Sequence, residues 1–176
     1  MKILILSPLY PPDIAIPAPY VKELAKRLKD THEVTILTYG RIPETIDGVK
    51  IHAVDKRLPL LSRLKAYKEK LETLEKNVDV LYLQNGASVE LPALSAKKPI
   101  VFHIGDPKAY EQAQKNTPHK ILHDLVRNRA RTVFATSPLP KPEILPFQNI
   151  GEAEKAQYEE SWKEHLEEIE SHINHE

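Results

Sequence analysis

Cysteine is missing from all 176 positions, so neither a disulfide framework nor a thiolate metal site can shape this protein. Its absence fits any redox compartment. An excess of either charge is missing too, since 25 Lys and Arg meet 25 Asp and Glu. A general nucleic-acid binder carries a basic excess, so nucleic acid is not expected as a partner, although a balanced total leaves room for a local basic patch. Long hydrophobic runs are also absent. Ile3-Leu4-Ile5-Leu6 ends at Ser7-Pro8, too short for a signal-peptide core or a membrane span, and no other stretch approaches the length of a span. The expectation is a soluble, cytoplasmic chain with no transmembrane segment, working at most at the periphery of a membrane. No internal repeat is present. His119 and His123 stand four apart, as in a helical zinc pair, but no third ligand follows at matching spacing. No metal and no cofactor are expected.

What is present reads as one α/β domain with an appendage. Five apolar runs predict strands: Lys2–Leu6, Glu33–Leu37, Val78–Leu83, Pro99–Ile104 and Thr132–Ala135, with Val49–Val54 as a sixth. Most are continuous rather than alternating, as in a parallel sheet covered on both faces. Helical spacing links them. Val21, Leu24, Ala25 and Leu28 share one face; Leu60, Leu61, Leu64, Leu71 and Leu74 mark a second helix; Ile121, Leu122, Leu125 and Val126 mark a third. This alternation predicts a Rossmann-like open parallel sheet with helices on both faces, spanning 1–138. A connector at 139–151 follows, rich in proline and unable to form a helix or an inner strand. The segment 152–176 predicts an amphipathic helix whose narrow stripe is Tyr158, Trp162, Leu166, Ile169 and Ile173. It needs a surface to lie on, either the domain itself or a partner.

In open parallel sheets, ligands bind where strands end at their C-terminal edge. The loops there bring forward Tyr10, Asp13, Ala15 and Ile16 after the first strand, Asn85 and Gly86 after Val78–Leu83, Gly105 and Asp106 after Pro99–Ile104, and Ser137 after the last. His103 closes its strand as either a hydroxyl contact or a buried histidine bonded to backbone. Asp106 is either a site carboxylate or, with Pro107 after it, the N-cap of a helix. Asn85-Gly86 either lines a cleft or makes a tight turn.

The order of the motifs adds a further reading. Ser7-Pro8-Leu9-Tyr10-Pro11-Pro12-Asp13 opens the chain, followed by Glu23-Leu24-Ala25-Lys26-Arg27-Leu28 and His32-Glu33-Val34-Thr35-Ile36-Leu37. Val78-Asp79-Val80-Leu81-Tyr82, Pro99–Asp106 with His103, and Thr136-Ser137 come next. This series resembles the N-terminal half of family 4-type GT-B glycosyltransferases over residues 1 to 138. Tyr158, Trp162, Leu166 and Ile169 resemble the last helix of such enzymes, which crosses back onto the N-terminal domain. The resemblance implies a sugar or lipid-linked acceptor on this half, with His103 contacting its hydroxyl and the strand-end residues around it. It also implies that the donor-binding domain between Ser137 and the last helix is missing, so that a separate donor-domain chain becomes a candidate partner.

Two departures from that pattern bear on mechanism. Ala15 and Ile16 stand where the family has a Gly-Gly turn for close approach to phosphates. The paired glutamates and cationic phosphate contacts of the donor domain have no counterpart, so a departing nucleoside diphosphate lacks a stabiliser. Sugar transfer by this chain alone is therefore not expected. The competing readings are an acceptor-side domain completed by a partner, a non-catalytic binding or scaffold protein on the same fold, and a small-molecule enzyme using His103 or Asp106 as acid or base.

Overall fold

The run Lys2–Leu6 forms strand β1, and its apolar residues are buried on both sides: Ile3 and Ile5 face one helical layer, Leu4 and Leu6 the other. A run with two covered faces has no reason to alternate with polar residues. The computed structural model describes residues 1–15, 17–142 and 150–174. The chain continues through α1 (Pro17–Leu28), β2 (Glu33–Tyr39), β3 (Lys50–Val54) and α2 (Leu60–Leu74). After a 3-10 turn at Glu75–Asn77 come β4 (Val80–Gln84), α3 (Ala87–Ala93), β5 (Ile100–Ile104), α4 (Pro107–Ala113), α5 (Thr117–Arg129), β6 (Thr132–Ala135) and α6 (Glu152–Asn174).

All six strands are parallel and lie in the order β3-β2-β1-β4-β5-β6. Ile3 pairs with Val34 on one side and Val80 on the other, so β1 and β4 meet mid-sheet, where the strand order reverses. The expected Rossmann-like sheet is present, with a terminal helix packed back on it. Among the described residues, no helix is long and apolar enough to cross a membrane. The connector residues 143–149, Ile16 and His175 lie outside the described residues.

Helices α1 and α6 share one face of the sheet. There Tyr20, Leu24 and Leu28 meet Trp162, Ile169 and Ile173 over Ile3, Ile5, Tyr82 and Val101. Residues of α2, α3, α4 and α5 fill the other, with Tyr67, Leu71, Val89, Tyr110 and Val126 over Leu4, Leu6, Leu81 and Phe102.

The docking of α6 follows from its stripe. Trp162 and Ile169 are fully buried, and a fully buried Ile contributes roughly 1.5–3 kcal/mol. The Trp162 indole N–H donates to Lys141 O at 2.7 Å. Arg27 of α1 forks onto Glu159 at 2.9 and 3.0 Å and lies over the Tyr158 and Trp162 rings. At the far end, Arg131 donates to the Ile173 and His172 carbonyls, a cation at a helix C-terminus where the dipole favours one.

The other two stripes behave differently. In α2 the buried residues are Tyr67 and Leu71, while Leu60 and Leu61 are 57% and 80% exposed. In α5 His123 and Val126 are buried, while Ile121 and Leu125 are half exposed. Helix α3, which carries Pro92 among seven residues, has no counterpart in the sequence reading because it is too short to show a period.

Candidate functional site

The strand order reverses between β1 and β4, so the loops after these strands flank the crevice where such sheets bind ligands. The first loop is tightly held. Buried Ser7 donates from its hydroxyl to Leu9 O at 2.5 Å, and its backbone N–H reaches Leu37 O at 3.1 Å. Tyr10 is 1% exposed, and burial, with Glu44 nearby, pushes its phenol well above the usual range. Asp13 closes a turn on Tyr10 O and pairs with Lys56 from the loop after β3. Ala15 is exposed and accepts the Ala18 N–H at 2.9 Å.

Gly86 begins the second loop with φ 156°, and a Cβ there would lie 2.9 Å from Pro8 Cγ. Glycine lets the loops after β1 and β4 touch at Pro8 and Gly86. The Gly86 N–H donates to Glu90 Oε1 at 2.7 Å. Glu90 has no exposed surface, and its other oxygen is bonded to His123 Nδ1. Burial raises the Glu90 carboxyl pKa, against the opposing Gly86 and His123 contacts. Sequence reasoning missed this pair, since Glu90 lies in the short helix that had no period. Among the described residues no group of three or more His, Cys, Asp or Glu side chains is placed to hold a metal ion.

Asn85 links β4 to β5: its Oδ1 accepts the Gly105 N–H at 3.0 Å and its N–H donates to His103 O at 3.1 Å. Asp106 accepts the Ala109 N–H at 3.0 Å and so caps α4, as one of the two sequence readings has it. Ser137 is exposed just beyond β6.

His103 sits apart from this rim. It has no exposed surface and lies beneath α6, stacked on Phe134 at 4.6 Å between ring centroids. Its Nδ1 is 2.9 Å from the Gln84 amide nitrogen, and its Nε2 has no hydrogen-bond partner. Around it stand Tyr20 and Tyr82, whose hydroxyls are 3.3 Å apart, and His165, whose Nε2 is 2.7 Å from the Tyr20 hydroxyl. Burial, then His165 and His172, lowers the His103 pKa to about 3, so the ring is neutral near pH 7. The structure thus brings Tyr10, Asp13, Asn85, Gly86, Gly105 and Asp106 to one edge and places His103 inside the fold. A separate cavity of about 860 Å³ lies between Thr136–Lys141 and α6, lined among others by Tyr158, Ser161, His165 and Glu168.

The sequence matches no family model and no curated protein. Solved structures do match. Sucrose-phosphate synthase from Thermosynechococcus elongatus superposes with a TM-score of 0.61 at 13% identity, over 78% of this chain and 43% of that one. HepE from Anabaena, solved in complex with UDP-glucose, superposes with a TM-score of 0.50 at 18% identity, over 76% of this chain and 36% of that one. What these structures share with the chain is the fold, a Rossmann-like open parallel sheet with helices on both faces. The chain spans less than half the length of either structure.

In this architecture the N-terminus of α1 points at the crevice, the usual place for a phosphate cradle of backbone N–H groups. Among the described residues that cradle is short of donors here. Helix α1 opens Pro17-Ala18-Pro19; the two prolines carry no N–H, and Ala18 donates to Ala15 O. The signal for it in the sequence is two prolines in the first turn of a helix.

Proposed function

We propose that this chain is a glycosyltransferase-like, acceptor-side domain that does not transfer sugar by itself and works with a separate donor-binding chain. The observation that carries the reading is the rim of loops at the β1/β4 reversal, held by Asp13–Lys56, Pro8–Gly86 and Asn85–Gly105, beside a helix that opens with two prolines and so is poor in N–H donors for a diphosphate among the described residues. Only 16 residues separate β6 from α6, which leaves no room between them for a second domain. Tyr10, Asp13, Ala15, Ile16, Asn85, Gly86, Gly105, Asp106 and Ser137 are the proposed surroundings of a sugar or lipid-linked acceptor. His103 reaches that acceptor only if α6 lifts, because it is wholly covered.

The test is reconstitution. Co-purification with chains consisting of a sugar-nucleotide-binding domain alone should give a complex that turns over a nucleotide sugar, whereas this chain alone should give none. Failure to associate with any such chain would overturn the reading.

The two prolines at the start of α1 also favour a second reading, a non-catalytic binding or scaffold protein on the same fold. It expects no change in melting temperature with nucleotide sugars or lipid-linked acceptors. A ligand at a hundred times its Kd would contribute about 2.7 kcal/mol, so a clear upward shift rejects this second reading.

A further inference from the structure

Charge is balanced overall but divided between the two faces of the sheet. Helix α6 carries eight glutamates against Lys155 and Lys163, and it covers the α1 face. The segment from Asp55 to Lys70, on the opposite face, carries Lys56, Arg57, Arg63, Lys65, Lys68 and Lys70 against Asp55 and Glu69. Several of these cations have carboxylate neighbours, such as Lys65–Glu69 at 3.8 Å and Arg57–Asp55 at 2.6 Å, but the pairs are exposed and the surplus stays positive.

Exposed aliphatic side chains gather at the same edge. Of the nine large hydrophobic residues exposed among the described residues, five are Ile14, Ile42, Leu58, Leu60 and Leu61. They stand on the loops after β1, β2 and β3, three adjacent strands, and on the first turn of α2. These loops form one rim: Lys56 pairs with Asp13, the Glu44 N–H donates to Pro11 O at 3.1 Å, and Arg63 donates to Lys56 O at 3.1 Å. The start of α2 is chemically unusual for a helix facing water. It has no side-chain cap and no acidic residue in its first turn, the place where Asp or Glu would favour the helix dipole; it offers Leu60, Leu61 and then Arg63 instead.

We propose that this rim docks on an anionic lipid bilayer, with Leu60, Leu61 and Ile42 entering the headgroup region and Arg57, Lys65 and Arg41, which is exposed beside Ile42 on the loop after β2, lying at the lipid phosphates. Apolar side chains beside basic ones on an otherwise soluble fold are the combination that binds such an interface. The charge division orients the molecule, since acidic α6 on the opposite face is repelled by the same surface. The inference stands on exposure and charge and does not depend on the glycosyltransferase reading.

The experiment is co-sedimentation of the full chain with vesicles of phosphatidylcholine alone or mixed with phosphatidylglycerol, at low and high salt. Binding is expected with the mixed vesicles, weak or absent with phosphatidylcholine, and reduced by salt, which screens charges beyond about 10 Å at 0.1 M. Leu60→Asp with Leu61→Asp should lower the partition coefficient by at least about ten-fold, since each buried leucine contributes more than about 1.4 kcal/mol. Arg41→Gln or Lys65→Gln should each lower it about five-fold, the equivalent of about 1 kcal/mol per cation near the surface. An unchanged melting temperature shows that the variants fold, as expected when an exposed, uncapped first turn gains aspartate. The proposal is overturned if the chain ignores mixed vesicles, or if the double aspartate variant binds as well as the parent. It is equally overturned if light scattering shows a dimer that this variant abolishes, because the rim is then an interface between copies.

Discussion

Helices α2 and α6 lie on opposite faces of one sheet and meet it on different terms. Helix α6 puts Trp162, Ile169 and Ile173 into a groove lined by Tyr20, Tyr82, His103 and Phe134 and turns its glutamates to water. Helix α2 anchors through Tyr67 and Leu71 and leaves Leu60 and Leu61 of its first turn exposed beyond the end of β3. An apolar period sets which face of a helix turns inward, but the sheet beneath decides how much of that face finds cover.

The sharpest way to break the contrast is to empty the α6 groove. Trp162→Ala should cost about 3–5 kcal/mol, read as a fall in the urea midpoint, because a buried indole leaves a large void. A loss below about 1 kcal/mol would mean that α6 rests on the domain without being part of its core.

Gly86→Ala tests the contact across the crevice. The new Cβ would meet Pro8 at 2.9 Å in a backbone conformation that suits glycine, so a loss of about 1–3 kcal/mol in chemical denaturation is expected. A neutral result would show that the two loops part easily.

Acid should act on the α6 face. The groups facing His103 are Tyr20 on α1, Tyr82 and Gln84 on β4, and His165, Glu168 and His172 on α6. Its folded pKa of about 3 lies below the usual value near 6.5, so the unfolded chain binds the proton more readily. Stability from this group is complete above about pH 6.5 and is lost as pH falls toward 3, at about 1.4 kcal/mol per pH unit. His165 is shifted in the same direction by burial. Between pH 6.5 and 5, before most carboxylates titrate, His103→Phe should flatten the decline; an unchanged slope would place the sensitivity elsewhere.

The smallest effect belongs to α2. Leu60→Asp with Leu61→Asp should leave the folding free energy within about 0.5 kcal/mol, since these side chains touch water already. A large loss would show that they are core residues after all and would erase the difference between the two helices.

Much of the fold was legible in the residues. Each of the six strands coincides with an apolar run to within about two residues, the uncertainty inherent in frayed ends. The stripe from Tyr158 to Ile173 foretold a helix in need of a surface, and Asp106-Pro107 foretold the start of α4. The candidate site was less legible. Position after a strand named Tyr10, Asp13, Asn85 and Gly86, but the Asp13–Lys56 pair joins residues 43 apart and the Glu90–His123 pair joins residues 33 apart. No local pattern carries such partnerships.

By itself the sequence determined the doubly covered parallel sheet, since unbroken apolar strands separated by amphipathic helices have few other ways to bury their surface. It also determined the two missing N–H groups at Pro17 and Pro19 in the first turn of α1, which is a matter of covalent structure. Only the tertiary structure decided that His103 lies under α6 rather than at the crevice, and that Leu60 and Leu61 stay in water while Trp162 does not. Burial is a property of neighbouring surfaces, and those neighbours are set by how the sheet and its two helical layers come together.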